Sequence, residues 1–174
     1  MRFRIAALAW AVAVWAGTAG ADGGAFRLLD PGLPAPAVEL AGLDGQMHRV
    51  GGAQGSPQLV FFWSVFCPNC KEALPELVAL YGRWREGNLR VWAVTVDGER
   101  FSNAVRAYVR DMELPFPVVY DRLEGEDLVA ADPYGVTKTP TLYVVSPEGR
   151  VALRQTVRVD FGAVERVLRE FTSP

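Results

Sequence analysis

The chain has 174 residues, of which 50% are hydrophobic and 22% charged, with a formal net charge of −2. That length and balance describe one globular domain with room for a sizeable core, and they exclude a disordered chain. The slightly acidic balance, without a long basic run, gives no nucleic-acid-binding signature. Two cysteines and a single histidine are too few for a four-ligand structural zinc site, so no metal is expected.

Arg2 and Arg4 form a positive start, Ile5 to Ala16 an apolar run, and Ala19-Gly20-Ala21 a small-residue cleavage pattern. This is the layout of an export signal over residues 1–21. The stretch from Ile5 to Ala21 is also nearly long enough for an uncleaved membrane anchor, and both readings stay open. Either way the protein is expected outside the cytoplasm, in a periplasm or its equivalent. Residues 22–36, rich in Gly and Pro and without periodicity, read as a flexible tether before a domain over residues 37–174. Val38-Glu39-Leu40 and Gln46 to Val50 flank Asp44-Gly45, a hairpin signal. His48 lies in that hairpin and reads as an exposed polar residue with no catalytic part.

Gln58 to Val65 is an apolar, aromatic-rich run that predicts a buried strand, and Cys67-Pro68-Asn69-Cys70 follows at once. Leu74, Leu77, Val78 and Tyr81 recur at helical spacing, so the cysteines sit where a strand turns into a helix. Cys67 falls at the cap, Pro68 at the first helical position and Cys70 one turn inside. Free N–H groups at a helix start stabilise a thiolate and lower its pKa. A disulfide across two residues restrains little of the unfolded chain, so redox chemistry is a better reading than a structural staple. On this reading Cys67 is the attacking thiol and Cys70 the sheltered one that resolves the mixed disulfide. Pro75 stands inside the helix and predicts a kink.

Leu89 to Val96 reads as a second core strand with Asp97 at its end, either near the cysteines or capping the next helix. An amphipathic helix over about Glu99 to Met112 and a short strand over Phe116 to Tyr120 follow. Glu126 to Pro133 reads as a further short helix, closed by Tyr134-Gly135. Thr139-Pro140 opens an apolar strand that turns at Ser146 to Gly149 into Arg150 to Val157. Asp160 caps a last helix that buries Phe161, Val164, Leu168 and Phe171. The order β-α-β-α-β-α-β-β-α gives an α/β fold with a mixed sheet between helices.

The run Trp63-Ser64-Val65-Phe66-Cys67-Pro68-Asn69-Cys70-Lys71, with Pro75 behind it and Gly135-Val136 ahead of Thr139-Pro140, resembles the thioredoxin superfamily. From Pro34 onward the chain resembles the exported TlpA/ResA-like branch, which includes the thiol-disulfide oxidoreductases of cytochrome c maturation. The resemblance implies a thioredoxin-like fold with an N-terminal β-hairpin and a central helix-strand insertion. It implies a cis Pro140 facing the cysteines, with the Thr139 backbone pairing a substrate strand and Phe66, Pro68 and Asn69 forming the contact surface. The hairpin also resembles peroxiredoxins, but that family's Thr-x-x-Cys is missing. Phe66 stands where tryptophan is common, and Phe61 where cytoplasmic thioredoxins have a buried aspartate. Ala73 stands where the branch usually has glutamate, and Glu72 is about 100° round the helix from it. Glu72 and Asp97 are therefore rival candidates for a proton relay.

No histidine lies between the cysteines, which favours a reductant or electron relay; a disulfide-forming oxidant and a non-catalytic binding module are the alternatives. Expected partners are protein disulfides and a membrane or periplasmic thiol redox partner. No cofactor beyond the Cys67–Cys70 pair is expected, and the chain is expected to act as a monomer.

Overall fold

The computed structural model describes residues 27–172. The export signal or anchor over residues 1–21 and the first residues of the tether lie outside them. The hairpin is present as β1 (Val38–Ala41) and β2 (Met47–Val50). Next come β3 (Gln58–Trp63), α1 (Pro68–Trp84), β4 (Arg90–Thr95), a 3-10 turn at Glu99–Phe101, α2 (Ser102–Asp111) and β5 (Val118–Tyr120). A small hairpin of β6 (Leu123–Glu124) and β7 (Asp127–Leu128) precedes β8 (Thr141–Val145), β9 (Val151–Thr156) and α3 (Phe161–Thr172). The main sheet has the order β5-β4-β3-β8-β9, with β3, β4 and β5 parallel and β8 and β9 antiparallel.

β3 is buried at every position, because it is the central strand and both its faces are covered. Leu59, Phe61 and Trp63 face Leu74, Leu77 and Leu80 of α1, Val105 of α2, and Phe161, Val164 and Leu168 of α3. Val60 and Phe62 face the other way, toward Leu40, Val50, Tyr134 and Tyr143. The period of two in a strand thus sorts one sequence run into two cores. Asp160 caps α3 as expected, its Oδ1 accepting from the Ala163 N–H at 3.0 Å. Among the described residues no helix is long and apolar enough to cross a membrane.

Three expectations are corrected. Residues 27–36 do not form a free tether. They run along the sheet, with Gly32 N–H donating to the Val151 carbonyl and Val151 N–H to the Leu33 carbonyl. Leu29 N–H donates to the Tyr143 hydroxyl, and Asp30 pairs with Arg154 at 2.9 Å. A Cβ at Gly135, whose φ is +67°, would collide with the Arg27 carbonyl, so glycine lets the segment lie flat here. Leu28 and Leu29 pack on the second core, which explains why a Gly- and Pro-rich segment stays in place.

Glu126 to Pro133 is not a helix. Gly125, at φ +68°, turns β6 into β7, and the Asp121 carboxylate then takes the N–H groups of Ala130 and Ala131. Asp132 takes that of Leu128, and Pro133 disfavours helical geometry before it. The second face of the sheet is therefore covered by the N-terminal segment, the hairpin and a run of turns. His48, finally, is not exposed: its ring packs on Trp92 with centroids 5.4 Å apart, and Nε2 lies 2.9 Å from Asp44.

Candidate active site

Cys67 and Cys70 form a disulfide at the mouth of α1, their Cα atoms 5.2 Å apart. Cys67 caps the helix through sulfur, its Sγ accepting from the Cys70 N–H at 3.1 Å. Pro68 occupies the first helical position, where its missing N–H leaves no bond unmade. Cys70 is fully buried in the core with Trp63 and Leu74, whereas Cys67 is half-buried. One sulfur is open to a visitor and the other is sheltered.

Ser64, Phe66, Cys67, Pro68, Asn69 and Thr139 line one groove of about 350 Å³. The Thr139–Pro140 peptide is cis, and Pro140 is buried behind Thr139. Five of the residues singled out from sequence therefore meet at one depression, although Thr139 comes 72 positions after Cys67 in the chain. Phe66 is 62% exposed and rests edge-on against Phe101, with Arg100 above that second ring. The central insertion thus supports the aromatic rim of the site.

The two candidate proton relays stand differently. Asp97 is held at the end of β4, where its Oδ1 accepts from the Ser64 hydroxyl at 2.5 Å. Its Oδ2 accepts from the Val65 N–H and the Thr95 hydroxyl, both at 2.8 Å. It does not cap the next turn, which begins from Gly98. Glu72 is exposed on α1 and lines a second groove of about 190 Å³ with Asn69, Glu76, Val157 and Arg158. Among the described residues no hydrogen bond joins Glu72 to either cysteine.

Sequence reasoning missed Val157. Its backbone is left-handed at φ +68°, rare for a β-branched residue. Its N–H donates to the Pro140 carbonyl at 2.8 Å, and its carbonyl accepts from the Asn69 side-chain amide at 3.1 Å. One residue ties the redox motif to the cis-proline loop. Nothing in the local sequence marks it.

A mixed sheet with a CxxC disulfide at a helix mouth, facing a cis-proline loop, defines the thioredoxin-like class of thiol-disulfide oxidoreductases. A family model described as the AhpC/TSA family matches residues 31–154, and the chain belongs to that family. It is similar to the thiol-disulfide oxidoreductase ResA of Halalkalibacterium halodurans, 26% identical over 132 residues, covering 76% of this chain and 69% of the relative. ResA of Geobacillus thermodenitrificans is 32% identical over 120 residues, covering 69% and 66% respectively. Among solved structures, the thioredoxin domain of a thiol-disulfide oxidoreductase from Bacteroides vulgatus superposes with a TM-score of 0.68 at 22% identity. That match covers 80% of this chain and 99% of the domain, and it shows the shared fold. The protein is a thiol-disulfide oxidoreductase of the ResA type.

Proposed function

We propose that the protein works outside the cytoplasm as a reductant or electron relay for protein disulfides, with apocytochromes c among its candidate substrates. The observation that carries this is the asymmetry of the two sulfurs, one lining a groove and one sealed in the core. The Cys67 thiolate attacks one sulfur of a substrate disulfide, forming a mixed disulfide and releasing the other substrate sulfur as a thiolate. Cys70, deprotonated, then attacks the Cys67 sulfur, re-forming the internal disulfide and releasing the second substrate thiolate. Two electrons pass from the dithiol to the substrate, whose two thiolates take up the two protons that the cysteines lose. A thiol partner at the membrane or in the same compartment returns the dithiol form. No cofactor enters the scheme.

The helix start favours the Cys67 thiolate as attacking group, and the groove offers the Thr139 backbone for an added substrate strand. The three donors already on Asp97 favour its part as a holder of the loop before Cys67 over that of a proton relay. Export is supported by the leader pattern, and the cytochrome reading by the resemblance of the chain from Pro34 onward to the TlpA/ResA-like branch.

The test is a Cys70→Ser variant, which should accumulate a mixed disulfide through Cys67 that mass spectrometry can identify. Reduction of insulin disulfides should vanish in Cys67→Ser, and activity surviving that change would refute the assignment. A reduction potential below about −200 mV fits a reductant, whereas one well above it would make the protein an oxidant.

A further inference from the structure

We infer that Val157 is a specificity-determining residue, whose side chain selects substrates with an apolar residue beside the target cysteine. The inference rests on the proposed function and deepens it.

Its basis is a conformation that glycine would adopt more easily. Val157 sits at φ +68°, where a β-branched side chain is disfavoured and glycine is at ease. Both of its peptide hydrogen bonds, to Pro140 and from Asn69, are made by backbone atoms and are equally available to glycine. The side chain therefore contributes nothing to the tie itself. Nor does it fill the core: Val157 is 38% exposed and is one of the few large apolar residues at the surface of the described chain.

It borders the second groove, which meets the groove of the disulfide at Asn69. Phe66, 62% exposed, borders the first groove. A polypeptide laid against Thr139 with its cysteine over Cys67 thus finds an apolar contact in each groove. Asn69, Glu72, Ala73, Glu76, Arg158 and Val159 line the rest of the second groove; Ala73 is buried and Val159 half-buried, so Val157 is its exposed apolar residue. A small disulfide such as oxidised glutathione reaches the sulfur without spanning both grooves.

The test uses the pre-reduced full protein in single turnovers. Two synthetic peptide disulfides are compared that differ only in carrying Leu or Ser on both sides of the reacting cysteine. Rates with oxidised glutathione, measured on each variant, normalise for intrinsic dithiol reactivity. The wild type should oxidise faster with the Leu peptide than with the Ser peptide, by roughly five- to tenfold. Val157→Gly keeps the backbone tie and should lower that ratio to roughly twofold, the remainder being the contact with Phe66. Val157→Asn, which tolerates the left-handed backbone but presents a polar side chain, should do the same. A thermal midpoint for Val157→Gly at or above the wild-type value shows that the fold is intact. The inference is overturned if Val157→Gly keeps the wild-type ratio, or if both peptide rates fall equally after normalisation. A wild type that reacts with neither peptide nor glutathione would instead remove the proposed function.

Discussion

Removing the Asp97 carboxylate tests what holds the loop before Cys67. In Asp97→Ala, three donors lose their acceptor: the Thr95 hydroxyl, which is fully buried, the Val65 N–H, which is nearly so, and the Ser64 hydroxyl, which is half-buried. A buried donor left without a partner costs about 1–3 kcal/mol, and the Ser64 hydroxyl can recover part of its loss from water. The two buried donors together cost about 2–6 kcal/mol. Asp97→Asn retains one carbonyl oxygen, and its amide can donate to a hydroxyl, so it should cost about 1 kcal/mol. With a urea slope of about 2 kcal/mol/M, the two variants should lower the unfolding midpoint by about 1–3 M and about 0.5 M. Because Ser64 Oγ also accepts from the Phe66 N–H, the loop that presents Phe66 and Cys67 loosens as well. Insulin reduction should therefore slow in the same order as stability falls. The assay pairs urea unfolding with the pH profile of disulfide reduction. A relay acid predicts the opposite signature, in which Asp97→Asn deletes a step from the pH profile while stability stays within about 0.5 kcal/mol. An Asp97→Ala protein as stable as the wild type would refute the structural account.

Two further outcomes are expected. Tyr143→Phe removes the hydroxyl that accepts from Leu29 N–H and donates to the Tyr134 carbonyl, and should cost about 1–3 kcal/mol. Hydrogen exchange at the Leu29 amide should quicken in that variant, and unchanged protection there would mean that the N-terminal segment is held by its other contacts alone. The Arg83 guanidinium holds the Glu165 carboxyl below its ordinary 4.5, linking α1 to α3. A lowered carboxyl contributes stability that is present above its unfolded value and lost as pH falls through the folded one. Glu165→Gln should therefore cost about 0.5 kcal/mol at neutral pH, as a partly exposed pair does, and flatten part of the acid slope below about pH 4.5. An acid-unfolding curve identical to the wild type would count against the pair.

The run from Gln58 to Trp63 shows how far local pattern reaches, since it is apolar almost throughout and yet sends alternate side chains into two separate cores. The strands of the main sheet, the three helices and two of the helix caps are legible because each rests on contacts within a few residues. Cys67 at the cap, Pro68 behind it and Asp160 before α3 are placed by such local rules. The resemblance added the cis Thr139–Pro140 peptide and its position facing the dithiol, which no local spacing gives.

What sequence misjudges is settled by partners beyond the local window, from about ten to more than a hundred positions away. The segment over residues 27–36 has the composition of a tether, yet Tyr143, Val151 and Arg154 hold it from more than a hundred positions away. Glu126 to Pro133 has a helical pattern, but the Asp121 carboxylate claims N–H groups that a helix would have used. Asp97 can be read as cap or relay until Ser64 and Val65 take its oxygens, and Val157 gains a place at the site only through Asn69 and Pro140. The sequence alone determined the cysteine pair and the helix mouth that holds it, because strand, cap and periodicity are short-range. Tertiary structure decided which side chains wall the grooves and which carboxylate is already engaged, because those depend on hydrogen bonds between segments whose spacing in the chain carries no trace of their meeting.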